Sequence, residues 1–211
     1  MKREEKNALS RQRILEAALR EFSAKGYAAA SLNTICAENE ISKGIIYHYF
    51  ADKDELYLLC VAECFDALTA YLTQALDSIS GSVEQRLGGY FDARLRFFAE
   101  NPLYLGIFTD AALNPPTQLI SKIMGIRGSF DQLNISVLTG LLDSATLRNG
   151  ITVSAVVDDF RMYMDYFNLR FKGMLAGIHS PEQTLREHEE RCHRQLHILL
   201  YGVLGDQDEN R

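Results

Sequence analysis

A chain of 211 residues with 47% hydrophobic content can form one ordinary domain or two small ones, and no uninterrupted apolar run in it approaches the roughly 20 residues that span a bilayer. The formal charge of −6 excludes a uniformly basic nucleic-acid binder. That charge is uneven, however: up to Lys53 there are 9 Lys and Arg against 7 Asp and Glu, and beyond it 13 against 21. A mildly basic head therefore precedes an acidic body, which is compatible with DNA contact through the head alone. The amino-terminal MKREEKNALSRQR lacks the apolar centre of a signal peptide. Cys36, Cys60, Cys64 and Cys192 form no CxxC and no disulfide framework. The expectation is a soluble cytoplasmic protein.

Nearly everything reads as helix, with Gly and Pro at helix ends and no alternating β-branched runs. The first helix is expected from about Ser10 to Lys25, burying Ile14, Leu15, Ala18, Leu19 and Phe22, with Gly26 just past its end. Ser31 caps a second helix whose Leu32, Ile35 and Cys36 face inward, and Ser42 caps a third in which Ile46 and Phe50 lie four apart. Asp52 and Glu55 form a capping box that opens a long fourth helix. Breaks at Gly81, Asn101-Pro102, Asn114-Pro115-Pro116, Asn149-Gly150 and Ser180-Pro181 divide the rest into about five helices. The last two, near 153–176 and 181–204, are joined by the short GIHSP connection and expected to be antiparallel. This gives an all-α fold of about nine helices: a three-helix helix-turn-helix head over residues 1–52 and a larger helical bundle over 53–211, joined rigidly through the fourth helix.

Residues 31–54 carry the most chemistry. In a helix-turn-helix the second helix enters the major groove and its amino-terminal residues reach base edges. Counting from Ser42, the residues facing outward there are Lys43, Gly44, Ile45 and His48. Lys43 adds charge, Gly44 lets the backbone approach a phosphate, and an exposed Ile45 suits a thymine methyl. Tyr47 and Tyr49 offer hydroxyls to phosphates, as does Lys53 its ammonium group. Ser31, Asn33 and Thr34 open the preceding helix, which crosses the backbone. Most of these contacts position the protein; few read sequence.

The segments RILEAALREFSAKGY and SLNTICAENEISKGIIYHYFADKDEL resemble the DNA-binding head of the TetR family of transcriptional regulators. The resemblance covers about Arg13 to Leu56. It rests on the ILEAA helix, the Phe-x-x-x-Gly-Tyr ending, Ser-Lys-Gly, Tyr-His-Tyr-Phe and the Lys53 that follows. It implies an all-helical homodimer that binds double-stranded operator DNA through the heads. It further implies a body that binds a small-molecule effector and dimerises through the last two long helices, most members being repressors released by their ligand. Two positions depart from the pattern. Asn39 and Glu40 stand where Ala and Gly usually precede the apolar residue of the turn, and a left-handed non-Gly residue costs roughly 1–2 kcal/mol; the alternatives are that Asn39 takes that conformation or that the turn differs. Cys36 replaces a common Ala.

Aromatics in the body are mostly core at helical spacing. A ligand site, being largely apolar with a few placed polar groups, is expected to draw on Arg94, Phe98, Phe108, Arg127, Tyr163, Tyr166 and Phe167, with Asp110, Asp165 and Asn168 as further polar anchors. His188, Cys192, His193 and His197 fall at metal-ligand spacing on one helix, with Glu189 and Glu190 nearby, but polar lining of a helix rim explains them as well; no metal and no cofactor is assigned. Cys60 and Cys64 share a helix face and read as core. No nucleophile elbow, phosphate loop, dinucleotide fingerprint or zinc-protease motif is present, and Asp158 and Asp159 diverge on consecutive helix positions, so the chain is not read as an enzyme. The alternative is a ligand-binding or protein-interaction module of the same fold that no longer binds DNA, for which Glu40 and the acidic total are the support.

Overall fold

The computed structural model describes residues 3–174 and 180–203. Among them every regular element is helical. In chain order these are α1 (Arg3–Ala29), α2 (Leu32–Glu38), α3 (Lys43–Tyr49), α4 (Lys53–Leu76), α5 (Val83–Glu100), α6 (Pro102–Leu113), α7 (Ile120–Ile126), α8 (Gly128–Asp143), α9 (Val153–Met174) and α10 (Pro181–Val203), with a 3-10 turn at Thr117–Leu119. The fold is all-α, with ten helices rather than about nine. The extra one arises because the segment after Asn114-Pro115-Pro116 divides. Arg127 (φ −76°, ψ 0°) is the C-cap of α7, between Gly125 and Gly128, which are weak helix formers. Most of the GIHSP connection, residues 177–179, lies outside the described residues.

The chain divides into two compact units: Met1–Ala67 with Asn101–Arg127, and Leu68–Glu100 with Gly128–Arg211. In the first, α1 begins about two turns earlier than the sequence pattern suggested and buries Ile14, Leu15, Ala18, Leu19 and Phe22 as expected. Gly26 bends it sharply (φ 68°, ψ 171°), a conformation that favours glycine. Ser31 and Ser42 cap α2 and α3, accepting the backbone N–H of Asn33 and Ile45. Asp52 accepts the N–H of Glu55 at 2.9 Å, and the Glu55 carboxylate reaches back to the Ala51 N–H at 2.6 Å, closing a capping box at the start of α4.

Helix α6 packs on α1 with a close backbone approach at Gly106. A Cβ built on Gly106 would lie 2.3 Å from the carbonyl oxygen of Ser23, so only glycine fits there. The buried faces of α1, α4 and α6 meet through Phe22, Tyr57, Phe65 and Phe108, with Phe22 and Tyr57 rings 5.1 Å apart and Phe65 and Phe108 5.6 Å apart. Among the described residues α4 alone is long and apolar enough, by length and composition, to cross a membrane, which corrects the expectation that nothing approached that length. Its Leu56, Tyr57, Cys60, Val61, Cys64, Leu68 and Leu72 are fully buried in the protein's own cores, as suits the central helix of a bundle.

In the second unit α5 buries Leu87, Tyr90, Phe91, Arg94, Phe97 and Phe98 against α8 and α10. Tyr90 donates to Asn134 on α8 at 2.6 Å. Burial pushes its phenol up to about 12.

Replacing Gly106 with Ala is expected to lower stability by about 1–3 kcal/mol, despite the better helix propensity of alanine. The midpoint of urea unfolding should fall while the slope stays constant.

Candidate nucleic-acid interface

The exposed face of α3 is built from its buried one. Ile46 is 1% exposed and Phe50 3%, so the helix is anchored on that side. Lys43, Gly44, Ile45, Tyr47 and His48 all face solvent, and Ile45 and Tyr47 are 43% and 58% exposed. The sequence-assigned residues Ser31, Asn33 and Thr34 sit at the start of α2, with Asn33 exposed and the other two half-buried. The structure therefore brings one set of assigned residues to the surface of the head. Tyr49 differs from expectation: its hydroxyl donates to the Asn7 side chain at 3.2 Å, on the early turns of α1 that sequence reasoning had left out of the helix.

The turn before α3 resolves in a way the sequence had not indicated. Glu40, not Asn39, adopts the left-handed conformation (φ 52°). Asn39 instead closes α2, its amide donating to the Ile35 carbonyl at 3.0 Å. Two arginines of α1 hold it there: Arg20 donates to its side-chain oxygen at 2.9 Å and Arg13 to its carbonyl at 2.7 Å. Asn39 is too heavily hydrogen-bonded to rotate, and the strain passes to its neighbour. At the start of α2, the buried Glu21 accepts the Ser31 N–H at 3.0 Å and pairs with Lys25 at 2.9 Å.

Lys53 lies over the ring of Tyr27, 4.4 Å from its centroid. A cation on an aromatic face is held by roughly 0.5–2 kcal/mol, so the ammonium group is pre-positioned. Tyr27 is fixed in turn. Its hydroxyl donates to Asp54 and accepts from Gln118 at 3.0 Å, and its N–H donates to Asp110 at 2.8 Å. The hydroxyl of Tyr57 also donates to Asp110 at 2.8 Å. Burial and then the Asp54 carboxylate push the Tyr27 phenol above its usual range, and burial followed by Asp110 does the same to Tyr57. Asp110, expected as a ligand anchor, is thus committed to the helix junction of the first unit. Sequence reasoning missed this junction. The one local signal was Gly-Tyr at the end of α1, which marks the bend but not its partner more than 80 residues on.

The residues assigned to a ligand site fall in both units. Phe108 and Arg127 belong to the first unit; Arg94, Phe98, Tyr163, Tyr166 and Phe167 belong to the second. Tyr166 is 58% exposed, whereas Phe98 and Phe167 are core. Tyr163 stacks on Phe167 at 5.7 Å, and Phe167 and Phe171 both pack on the ring of His188.

Arg94 centres a buried polar cluster, pairing with Glu189 at 3.0 Å with its guanidinium over the rings of Phe91 and Phe130. His188 bridges Glu189 (3.1 Å) and Asn168 (2.9 Å). Burial alone would raise the Glu189 carboxyl, but Arg94 and His188 hold it below the ordinary carboxylate range. Glu189 Oε2 and His193 Nε2 are buried without a hydrogen-bond partner among the described residues. Such atoms suit a polar ligand group reaching the bundle interior.

Of the four-residue histidine and cysteine spacings on α10, His188 and Cys192 meet at 3.8 Å, but the other pair turns elsewhere. His197 turns to Glu84 at 3.5 Å and His193 packs on Phe91, and no three potential ligands meet among the described residues. Cys60, Cys64 and Cys192 are sealed, with thiols pushed up by burial.

An exposed, capped second helix on a three-helix head defines the helix-turn-helix class of DNA-binding regulators. Residues 14–60 match the family described as bacterial regulatory proteins, tetR family. The regulator HbdR of Aromatoleum sp. (strain CIB) is 31% identical over 75 residues, covering 36% of this chain and 33% of that protein. The biofilm operon negative transcriptional regulator IcaR of Staphylococcus epidermidis is 29% identical over 90 residues, covering 41% and 49%. The matched stretches thus span between a third and a half of these relatives' own lengths. Over nearly the whole chain, the fold matches the fatty acid degradation regulator FadR of Bacillus halodurans, with a TM-score of 0.60, 18% identity, and coverage of 90% of this chain and 98% of that one. Over residues 14–60 the chain is similar to the tetR family.

Two outcomes follow from these clusters. Asp110→Ala strips the acceptor from the Tyr27 N–H and the Tyr57 hydroxyl, and urea unfolding should register about 1–3 kcal/mol for each orphaned donor, with Asp110→Asn losing less. Arg94→Met leaves Glu189 buried with only His188 beside it, at a cost of about 3–5 kcal/mol near neutral pH. Without the arginine, burial raises the carboxyl, so the neutral form is favoured in the folded state. That variant should regain stability as pH falls from about 7 to 5, while the parent, whose Glu189 is depressed, should not.

Proposed function

We propose that this protein is a ligand-responsive, DNA-binding transcriptional regulator that acts as a homodimeric repressor on a near-palindromic operator. The observation that carries the reading is the outer face of α3. There Lys43, Gly44, Ile45, Tyr47 and His48 stand exposed together, over a buried Ile46 that fixes the helix. A cation, a small residue for close approach, an apolar side chain and two ring hydroxyl or imidazole groups are what a major groove takes. Lys53, Ser31, Asn33 and Thr34 serve the phosphates beside it, and Ser42 sets the helix start.

Two heads held by one dimer would enter major grooves roughly 34–36 Å apart, or a multiple of that spacing. Exposed Met162 and Tyr166 on α9, and Ile198 and Tyr201 on α10, support dimerisation through the last two helices, since large apolar side chains left in solvent favour an interface. The negative regulator IcaR supports repression. A small effector entering the second unit would meet the unpartnered Glu189 and His193 atoms. It would lower DNA affinity only as far as it prefers one conformation over the other.

Fluorescence anisotropy with random duplex DNA at low salt tests the first step, because phosphate attraction needs no operator. No binding there would leave a ligand or protein-interaction module in its place. With a selected operator, Lys53→Ala should weaken binding to every sequence and flatten the salt dependence by about 1 charge. Ile45→Ala and His48→Ala should instead relax preference at particular base pairs, by roughly 1–3 kcal/mol each. Selection that returned the parent motif from both would remove them from the base-reading set.

A further inference from the structure

The second unit carries a surface groove of about 230 Å³ bordered by the end of α4, the loop after it, α5 and α8. Its walls are Leu76, Ile79, Leu133, Val137 and Leu141, of which all but Leu141 remain partly exposed. Ile79 is set as a wall by glycine. A Cβ on Gly89 would lie 3.1 Å from Ile79 Cγ2, so the loop rests directly on the α5 backbone.

Arg86 gives the groove its polarity. One of its terminal nitrogens donates to the Ser144 hydroxyl at 2.9 Å, and that hydroxyl spends its own proton on the Leu141 carbonyl at 2.8 Å. The guanidinium is therefore fixed by a neutral partner. No carboxylate pairs with it among the described residues, in a chain whose formal charge is −6. Its other terminal nitrogen faces Gly140, where an added Cβ would lie 3.9 Å away. A rigid guanidinium with donors to spare, beside an apolar trough, matches a carboxylate attached to an apolar body.

We propose that this groove binds a compact amphipathic carboxylate, its anion on Arg86 and its apolar part along Ile79, Leu133 and Val137. The volume lies below the range of about 300–1,000 Å³ that holds drug-sized ligands, which selects an aromatic or short-chain acid over a long-chain one. The groove contains neither Glu189 nor His193, so this ligand is additional to an effector reaching those atoms. Binding itself is measured without DNA, so its failure and the failure of DNA recognition are separate results.

The experiment is methyl NMR on the full chain with Ile, Leu and Val labelled, titrated with 3-phenylpropanoate and, in parallel, its neutral amide. The acid should give saturable shifts at Val137 and Leu133 methyls. The amide, Arg86→Gln and Gly140→Leu should each raise the dissociation constant by about tenfold or more. Both substitutions are at half-exposed positions, and unshifted methyls elsewhere verify the fold; the acid–amide comparison needs no variant at all. Equal binding of acid and amide overturns the proposal, as does unchanged affinity in Arg86→Gln or no saturation up to about 10 mM. Shifts at Val137 that appear on concentrating the protein alone would place a second copy over the groove and overturn it too.

Discussion

One carboxylate organises the first unit. Asp110, on α6, accepts from the backbone of Tyr27 at the bend of α1 and from the hydroxyl of Tyr57 on α4. Three helices separated by long stretches of chain are thereby referred to a single point. The bend is possible because Gly26 tolerates positive φ, and the approach is possible because Gly106 has no side chain to strike Ser23. Neither glycine would suffice alone: one turns the chain and the other admits the helix that receives it. The same node extends through Tyr27 to Asp54, Gln118 and the cation of Lys53.

The head shows how local strain is accommodated. A left-handed Glu40 costs roughly 1–2 kcal/mol relative to glycine. Around it Asn39 makes three hydrogen bonds, two of them to arginines of α1, and charge-assisted bonds of this kind are stronger than neutral ones. The turn is thus over-determined by contacts rather than by backbone preference. Its geometry depends on α1 staying in place, and α1 in turn depends on the α6 contact at Gly106.

What could be read from the sequence was local. Ser31, Ser42 and the Asp52–Glu55 box act within three or four residues, so their chemistry is visible in order along the chain. The burial of Ile14, Leu15, Ala18, Leu19 and Phe22 follows from helical period alone. The Asp110 junction, the Arg13 and Arg20 contacts to Asn39, and the Arg94–Glu189 pair join residues 19 to 95 positions apart, and no pattern in one sequence encodes such pairings. The division of α7 from α8 was missed for a different reason. Arg127 is a good helix former, and only the two weak formers flanking it hint at a stop. The helical start of α1 at Arg3 was passed over because its early turns are polar on every side.

The enclosure of all four native thiols has a practical corollary. Thiolate is the reactive form of cysteine, and burial blocks a reagent's approach to it. A single cysteine engineered on the solvent side of α3 would therefore be labelled selectively, with no need to delete the natural ones. Spin or fluorophore labels attached in this way would test the proposed homodimer, through the distance between its two heads in solution.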